Sequence, residues 1–183
     1  MYGLVNRAIE ELVVSLKGES AWRGVCAHAK LSSDGFVSMQ AYDDDITYRL
    51  VAAVSTRLGL SSEQVLEAFG NYWITYTAKE GYSAFLNAGG GNLREFLGNL
   101  NEMHGRVETV FPQLRMPQFR VQELNATDFY LYYASIRLGL APMVLGLVKG
   151  LAKRFEQPIE ITQTVFKAQV QDDDVFLVRI LND

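Results

Sequence analysis

Residues 112–137 read PQLRMPQFRVQELNATDFYLYYASIR, and the fold turns on them. Before Pro112 the apolar residues recur every three or four positions. From Phe119 to Arg137 the texture is aromatic and β-favouring, with polar and apolar residues alternating, notably in Gln118-Phe119-Arg120-Val121-Gln122 and from Phe129 through Ile136. A change of period from about 3.6 to 2 predicts strands after a helical first part, with Pro112 closing the last helix before the change.

Upstream, Leu4, Val5, Ile9, Leu12, Val13 and Leu16 mark a helix from Leu4 to Leu16. Ser33-Asp34-Gly35 is a turn. Asp43-Asp44-Asp45 then stands where a helix N-terminus favours negative charge, ahead of Ile46, Leu50, Val51, Val54 and Leu58. Gly59 ends that segment, and Ser61 with Gln64 forms a capping box for a helix through Val65, Leu66 and Phe69. After a turn at Gly89-Gly90-Gly91, Leu93, Phe96, Leu97, Leu100, Met103, Val107 and Val110 mark another helix. Downstream, a helix is expected from about Ala141 to Phe155. Ile159 to Val170 and Val175 to Ile180 then read as a hairpin joined by Asp172-Asp173-Asp174. The class is α+β: a helical N-terminal part packed on a C-terminal part with a small antiparallel sheet and one helix. We expect one domain over 1–183, with a helical subdomain of about 1–60 and a second of about 61–183.

Composition removes several functions. Of 183 residues, 49% are hydrophobic and 21% charged, which allows a sizeable core, and the net charge of -4 gives no general attraction to nucleic acid. The N-terminus lacks a basic segment followed by an unbroken apolar run, and no later run is long enough to span a membrane, so a cytoplasmic protein with no membrane association is expected. One cysteine, Cys26, and two histidines, His28 and His104, cannot build a four-ligand zinc site. There is no G-x-S-x-G elbow, and the glycine cluster is not followed by Lys-Ser/Thr as a phosphate loop requires. The aspartate runs lack calcium-loop spacing. No base and nucleophile pair stands out, and an enzyme is not expected.

Two constellations remain. His104 lies four residues after Leu100 and seven after Leu97, so its ring falls on the apolar face of the helix. Such a histidine is either a hydrogen-bonded core residue or a metal ligand, and helix periodicity does not choose between them. In Tyr133-Ala134-Ser135-Ile136-Arg137, a strand would project Tyr133, Ser135 and Arg137 to one face. Two hydroxyls and a guanidinium together suit carboxylates, although an ordinary solvent-facing strand edge looks the same.

Taken jointly, Asn92 to Leu100 leading to His104, with Tyr133, Ser135 and Arg137 downstream, resembles the H-NOX family of heme nitric oxide/oxygen binding domains, which includes the heme domain of soluble guanylate cyclase. The resemblance extends over nearly the whole chain. It implies heme b held between the two parts, His104 as proximal iron ligand, and Tyr133, Ser135 and Arg137 on the heme propionates. Pro117 and Val5 complete the implied heme-binding set, Pro117 lying against the porphyrin. It further implies a sensor in which NO weakens the bond to His104 and a separate chain, a histidine kinase or a cyclic-di-GMP enzyme, receives the signal. Oxygen-binding members place a tyrosine in the helix after the Y-x-S-x-R segment. Here residues 138–147 read LGLAPMVLGL, without Tyr, Trp, His or Gln, so binding of NO and CO with exclusion of O2 is expected. Tyr72, Trp73 and Tyr76 are the residues able to upset that expectation, and core packing is their expected role. Cys26 is read as a packed thiol and His28 as structural or exposed. The alternative function is a non-sensing carrier of another tetrapyrrole or apolar ligand, or an interaction module, with His104 merely buried.

Overall fold

The computed structural model describes residues 1–111 and 113–181. Helices α1 (Gly3–Lys17), α2 (Glu19–Ala29), α3 (Asp44–Leu58) and α4 (Ser62–Thr77) come first, followed by a π-helical turn at Ala78–Tyr82 and the short α5 (Ser83–Ala88). Then come α6 (Leu93–Val110), β1 (Gln118–Glu123), β2 (Asp128–Ala134), α7 (Ala141–Arg154), β3 (Ile159–Val165) and β4 (Asp174–Ile180). The α+β expectation holds, and the four strands form one antiparallel sheet in the order β1-β2-β4-β3.

Local chemistry sets the helix ends. The Ser61/Gln64 capping box forms as predicted, Asp43 caps α3 through the Asp45 amide at 3.0 Å, and Gly59 closes α3 in the left-handed region at φ 67°. Helix α6 ends at Val110, while Pro112, its predicted stop, lies outside the described residues. Helix α2 had no distinct sequence signal. It starts without a side-chain cap, and its Gly24 lies under the Arg57 guanidinium, where a Cβ would come within 2.7 Å.

Two strands are shorter than expected. β2 stops at Ala134, before Ser135 and Arg137. Its last partner on β1 is Gln118, and Pro117, next in line, has no amide to continue the ladder. The Ser135 hydroxyl accepts from the Arg137 amide at 3.1 Å and turns the chain away. β3 ends at Val165 rather than Val170, because the ladder bulges between Gln163 and Val165 and the Lys167 amide turns to the Asp174 carboxylate at 3.0 Å.

The sheet presents Phe129, Leu131, Tyr133, Phe176 and Val178 to the interior, all buried. Each such side chain contributes about 1.5–3 kcal/mol by leaving water. Helix α7 crosses α4 at very short range. A Cβ on Gly146 would stand 2.0 Å from the Glu67 carbonyl oxygen, and one on Gly70 2.1 Å from that of Met143, so only glycine permits the approach. Helix α6 is tied to β1 by a reciprocal pair in which Asn101 donates to the Phe119 carbonyl at 2.7 Å and accepts from its amide at 2.8 Å. These fixed crossings leave an apolar space between α1, α4, α6, α7 and the sheet.

Candidate functional site

That space is a cavity of two adjoining lobes, each about 220 Å³, whose walls share Tyr2, Val5, Trp73, Met103 and His104. Together the lobes approach the size of ordinary cofactor pockets, ~300–1,000 Å³. One lobe is lined by all six residues singled out in the sequence: Val5, His104, Pro117, Tyr133, Ser135 and Arg137. Residues from four separate stretches of chain therefore meet at one place, although Ser135 and Arg137 arrive there from a bend and not from the strand.

The helical spacing that carries Leu97 and Leu100 into the core brings His104 to the cavity wall. Its Nδ1 lies 3.0 Å from the Pro117 carbonyl oxygen. A carbonyl only accepts, so Nδ1 carries the proton and Nε2 keeps its lone pair. Among the described residues Nε2 has no hydrogen-bond partner. Burial pushes the imidazole pKa below its ordinary value, against smaller opposing effects of the Pro117 hydrogen bond and Glu108. The ring is thus neutral and available as a donor to a metal. Pro117 fixes the imidazole through its carbonyl, a role invisible in the sequence.

At the rim, burial pushes the Tyr133 hydroxyl pKa up, with Ser135 and Arg137 acting in the opposite sense, so it stays a donor at neutral pH. Arg137 is 14% exposed and already engaged: its Nε donates to Asp44 at 2.7 Å and one terminal nitrogen to the Arg115 carbonyl at 2.7 Å. Burial works against ionisation of Asp44, but hydrogen bonds from the Met1 ammonium and Arg137 outweigh it and hold its pKa low. Arg115 lines the cavity, Asp44 pairs with Arg137, and Lys167 donates to the Ser135 carbonyl; all three were missed from sequence. Asp44 read simply as a helix-terminal acid, and its partner lies 93 residues away.

The other flagged residues separate clearly. Trp73 lines both lobes and packs between Phe69 and Tyr76. The Tyr72 hydroxyl is 3.4 Å from Glu11, and Tyr76 is fully buried outside the cavity wall. Cys26 is buried, and desolvation with nearby Glu10 pushes its thiol up to about 11, which makes it an inert packed residue. His28 is exposed in the last turn of α2. No helix is long and apolar enough to cross a membrane among the described residues.

The donor set fits heme: one unprotonated imidazole nitrogen in an apolar cavity, with hydroxyl and cationic donors at one rim for two carboxylates. The family described as Haem-NO-binding matches residues 2–163. Soluble guanylate cyclases gcy-32 and gcy-35 of Caenorhabditis elegans are 34% and 31% identical to 84% and 92% of the chain. The chain spans about a quarter of the length of these relatives (23% and 24%). Among solved structures, an H-NOX protein from S. oneidensis in the Fe(II)NO ligation state superposes with a TM-score of 0.88 at 23% identity, covering 100% of both chains. An Fe(II) unliganded H-NOX protein from K. algicida gives 0.87 at 20% identity, over 100% of this chain and 98% of that one.

Proposed function

The chain belongs to the Haem-NO-binding family of heme-based gas sensors related to soluble guanylate cyclase, and from that premise we propose that it holds heme b through His104, binds NO and CO, excludes O2 and signals to a separate protein. The observation that carries the reading is the state of His104, neutral, oriented by the Pro117 carbonyl and, among the described residues, without a partner for Nε2. Tyr133, Ser135 and Arg137, which line the cavity, would take the propionates, and Val5 and Pro117 on the same wall would pack against the ring. When bound, the heme supplies a ferrous iron with one position open to a diatomic gas.

Selectivity follows from what faces that open position. Bound O2 gains from a hydrogen-bond donor, whereas NO does not need one. Helix α7 contributes Met143, Val144 and Leu147 to the cavity, all without a donor. From α4, the Tyr72 hydroxyl is turned to Glu11 and Tyr76 lies outside the wall. Trp73 reaches the cavity, and we assign it to packing between its aromatic neighbours.

The signal is carried by release of His104. Helix α6 is locked to β1 through Asn101, and the part of about 1–60 meets the part of about 61–183 at the Asp44–Arg137 pair. A ligated His104 ties α6 to the same group that Tyr133, Ser135 and Arg137 grip. Losing that bond leaves α6 held to β1 at Asn101 and frees the helix beyond that point to shift relative to the sheet, and a histidine kinase or cyclic-di-GMP enzyme reads the shift.

The test is spectroscopic. The reduced protein is expected to show a Soret band that shifts on adding NO and to form no stable oxygen complex in air. A stable oxygen complex refutes the selectivity. A colourless chain that reconstitutes no heme refutes the reading and favours the apolar-ligand carrier.

A further inference from the structure

Counting charge at the cavity rim exposes a shortfall. Two propionates bring two negative charges, and Asp44 adds a third, which is shared between the Met1 ammonium at 2.5 Å and Arg137 at 2.7 Å. With Asp44 offset by the Met1 ammonium, the Arg137 guanidinium is the one cation in the Tyr133, Ser135 and Arg137 set for two carboxylates, and it is still shared with Asp44. Carboxylates brought to a half-buried rim need more positive charge than that set retains.

Lys167 stands directly behind that set. It is half-buried, and its ammonium donates to the carbonyl of Ser135, the middle residue of the set. Among the described residues no carboxylate lies within salt-bridge distance of it. Lysines are seldom withdrawn from water without a counter-charge, so a half-buried ammonium bonded only to a main-chain carbonyl is an incomplete arrangement. Nor is its position accidental. The Lys167 amide donates to the Asp174 carboxylate at 3.0 Å, and Asp174 is 5% exposed and also accepts from Gln163 Nε2 at 2.8 Å. Asp174 pairs in turn with Tyr133 across the β2/β4 ladder. The buried aspartate therefore fixes the backbone that presents Lys167 to the rim.

We propose that Lys167 is a further carboxylate-binding residue of this cavity, a cation supplied by the segment between β3 and β4 that completes the counter-charge for the bound propionates. The proposal rests on the heme reading above and adds a residue outside the Y-x-S-x-R segment. Arg115, which lines the same lobe and whose carbonyl accepts from Arg137, is the internal comparison, because its side chain is exposed and its charge better screened.

The measurement is the rate at which the ferric protein loses heme to an excess of a heme-scavenging apoglobin, for wild type, Lys167→Met, Lys167→Arg and Arg115→Gln. Circular dichroism of each heme-free chain checks the fold. Lys167→Met is expected to release heme about five- to tenfold faster, the scale of one partly screened charge-assisted bond. Lys167→Arg should stay within about twofold of wild type, and Arg115→Gln should show the smaller effect. With the dimethyl ester of the same heme, which carries no carboxylates, wild type and Lys167→Met should release at equal rates. Equal release of ordinary heme by wild type and Lys167→Met overturns the inference and leaves the heme reading standing. An equally large effect with the dimethyl ester overturns it as well, since the loss would then be one of packing. Wild type that takes up no heme overturns both.

Discussion

Replacing Gly146 by alanine puts a methyl group where the Glu67 carbonyl oxygen is 2.0 Å away and the Asn71 amide nitrogen 2.9 Å away. Both are main-chain atoms of α4 and cannot rotate aside. Ordinary contact needs about 3.4 Å or more, so α7 and α4 must separate by more than about 1 Å or bend. With main-chain atoms at both short distances the clash falls in the upper part of the usual overpacking cost, about 2–3 kcal/mol, and the better helix propensity of alanine offsets about 1 kcal/mol of it, which leaves about 1–2 kcal/mol. At roughly 2–4 °C per kcal/mol for a chain of this length, the heme-free protein should melt about 2–8 °C lower. Because Met143, Val144 and Leu147 line the cavity, the displaced helix should also loosen heme. The matched control is Gly98→Ala on α6, where no heavy atom lies within 4 Å of the added methyl. It should be neutral or stabilise by up to about 1 kcal/mol. Thermal unfolding followed by circular dichroism decides. Gly146→Ala melting at or above the wild-type temperature, or Gly98→Ala falling as far as Gly146→Ala, refutes the close-crossing account.

Burial lowers the pKa of His104, so the unfolded chain binds its proton more readily. The contribution of this residue to heme-free stability is therefore complete above about pH 6.5, the unfolded value, and is lost as pH falls from there through the depressed folded value. Urea titrations between pH 7.5 and 5 should show this loss in wild type and a weaker one in His104→Gln. Protons also compete for the lone pair of Nε2, so heme uptake should weaken over the same interval, and uptake independent of pH there would contradict His104 as ligand. In a double-mutant cycle of Asp44→Asn and Arg137→Gln, a partly buried pair 2.7 Å apart should give a coupling of about 1 kcal/mol in heme-free stability, with zero coupling denying that the pair links the two parts.

The sequence was legible where the chemistry is local. The caps at Asp43, Ser61 and Gly59, the α6 stripe through Leu97 and Leu100, and the alternation in β1 and β2 all depend on residues within a few positions of one another. It was less legible where distant segments decide. Strand β2 was read through Arg137 because alternation continues in the residue types, but its partner strand runs out at Pro117. Helix α2 is held by α3, whose Arg49 donates to the Ala29 carbonyl at 3.1 Å, and it carries no cap of its own. At the site, the residue types of His104, Tyr133, Ser135 and Arg137 could be picked out directly. The partners that give them their state, the Pro117 carbonyl, Asp44 and Lys167, act across 13, 93 and 32 residues and carry no pattern in the sequence.

The central claim is that His104 is a releasable tether to iron. Its most direct test is His104→Gly, reconstituted with heme and reduced, with and without added imidazole. The account predicts that the variant loses the wild-type ferrous spectrum and that imidazole, entering the space left by the side chain, restores it. An unchanged ferrous spectrum in His104→Gly without imidazole would contradict it.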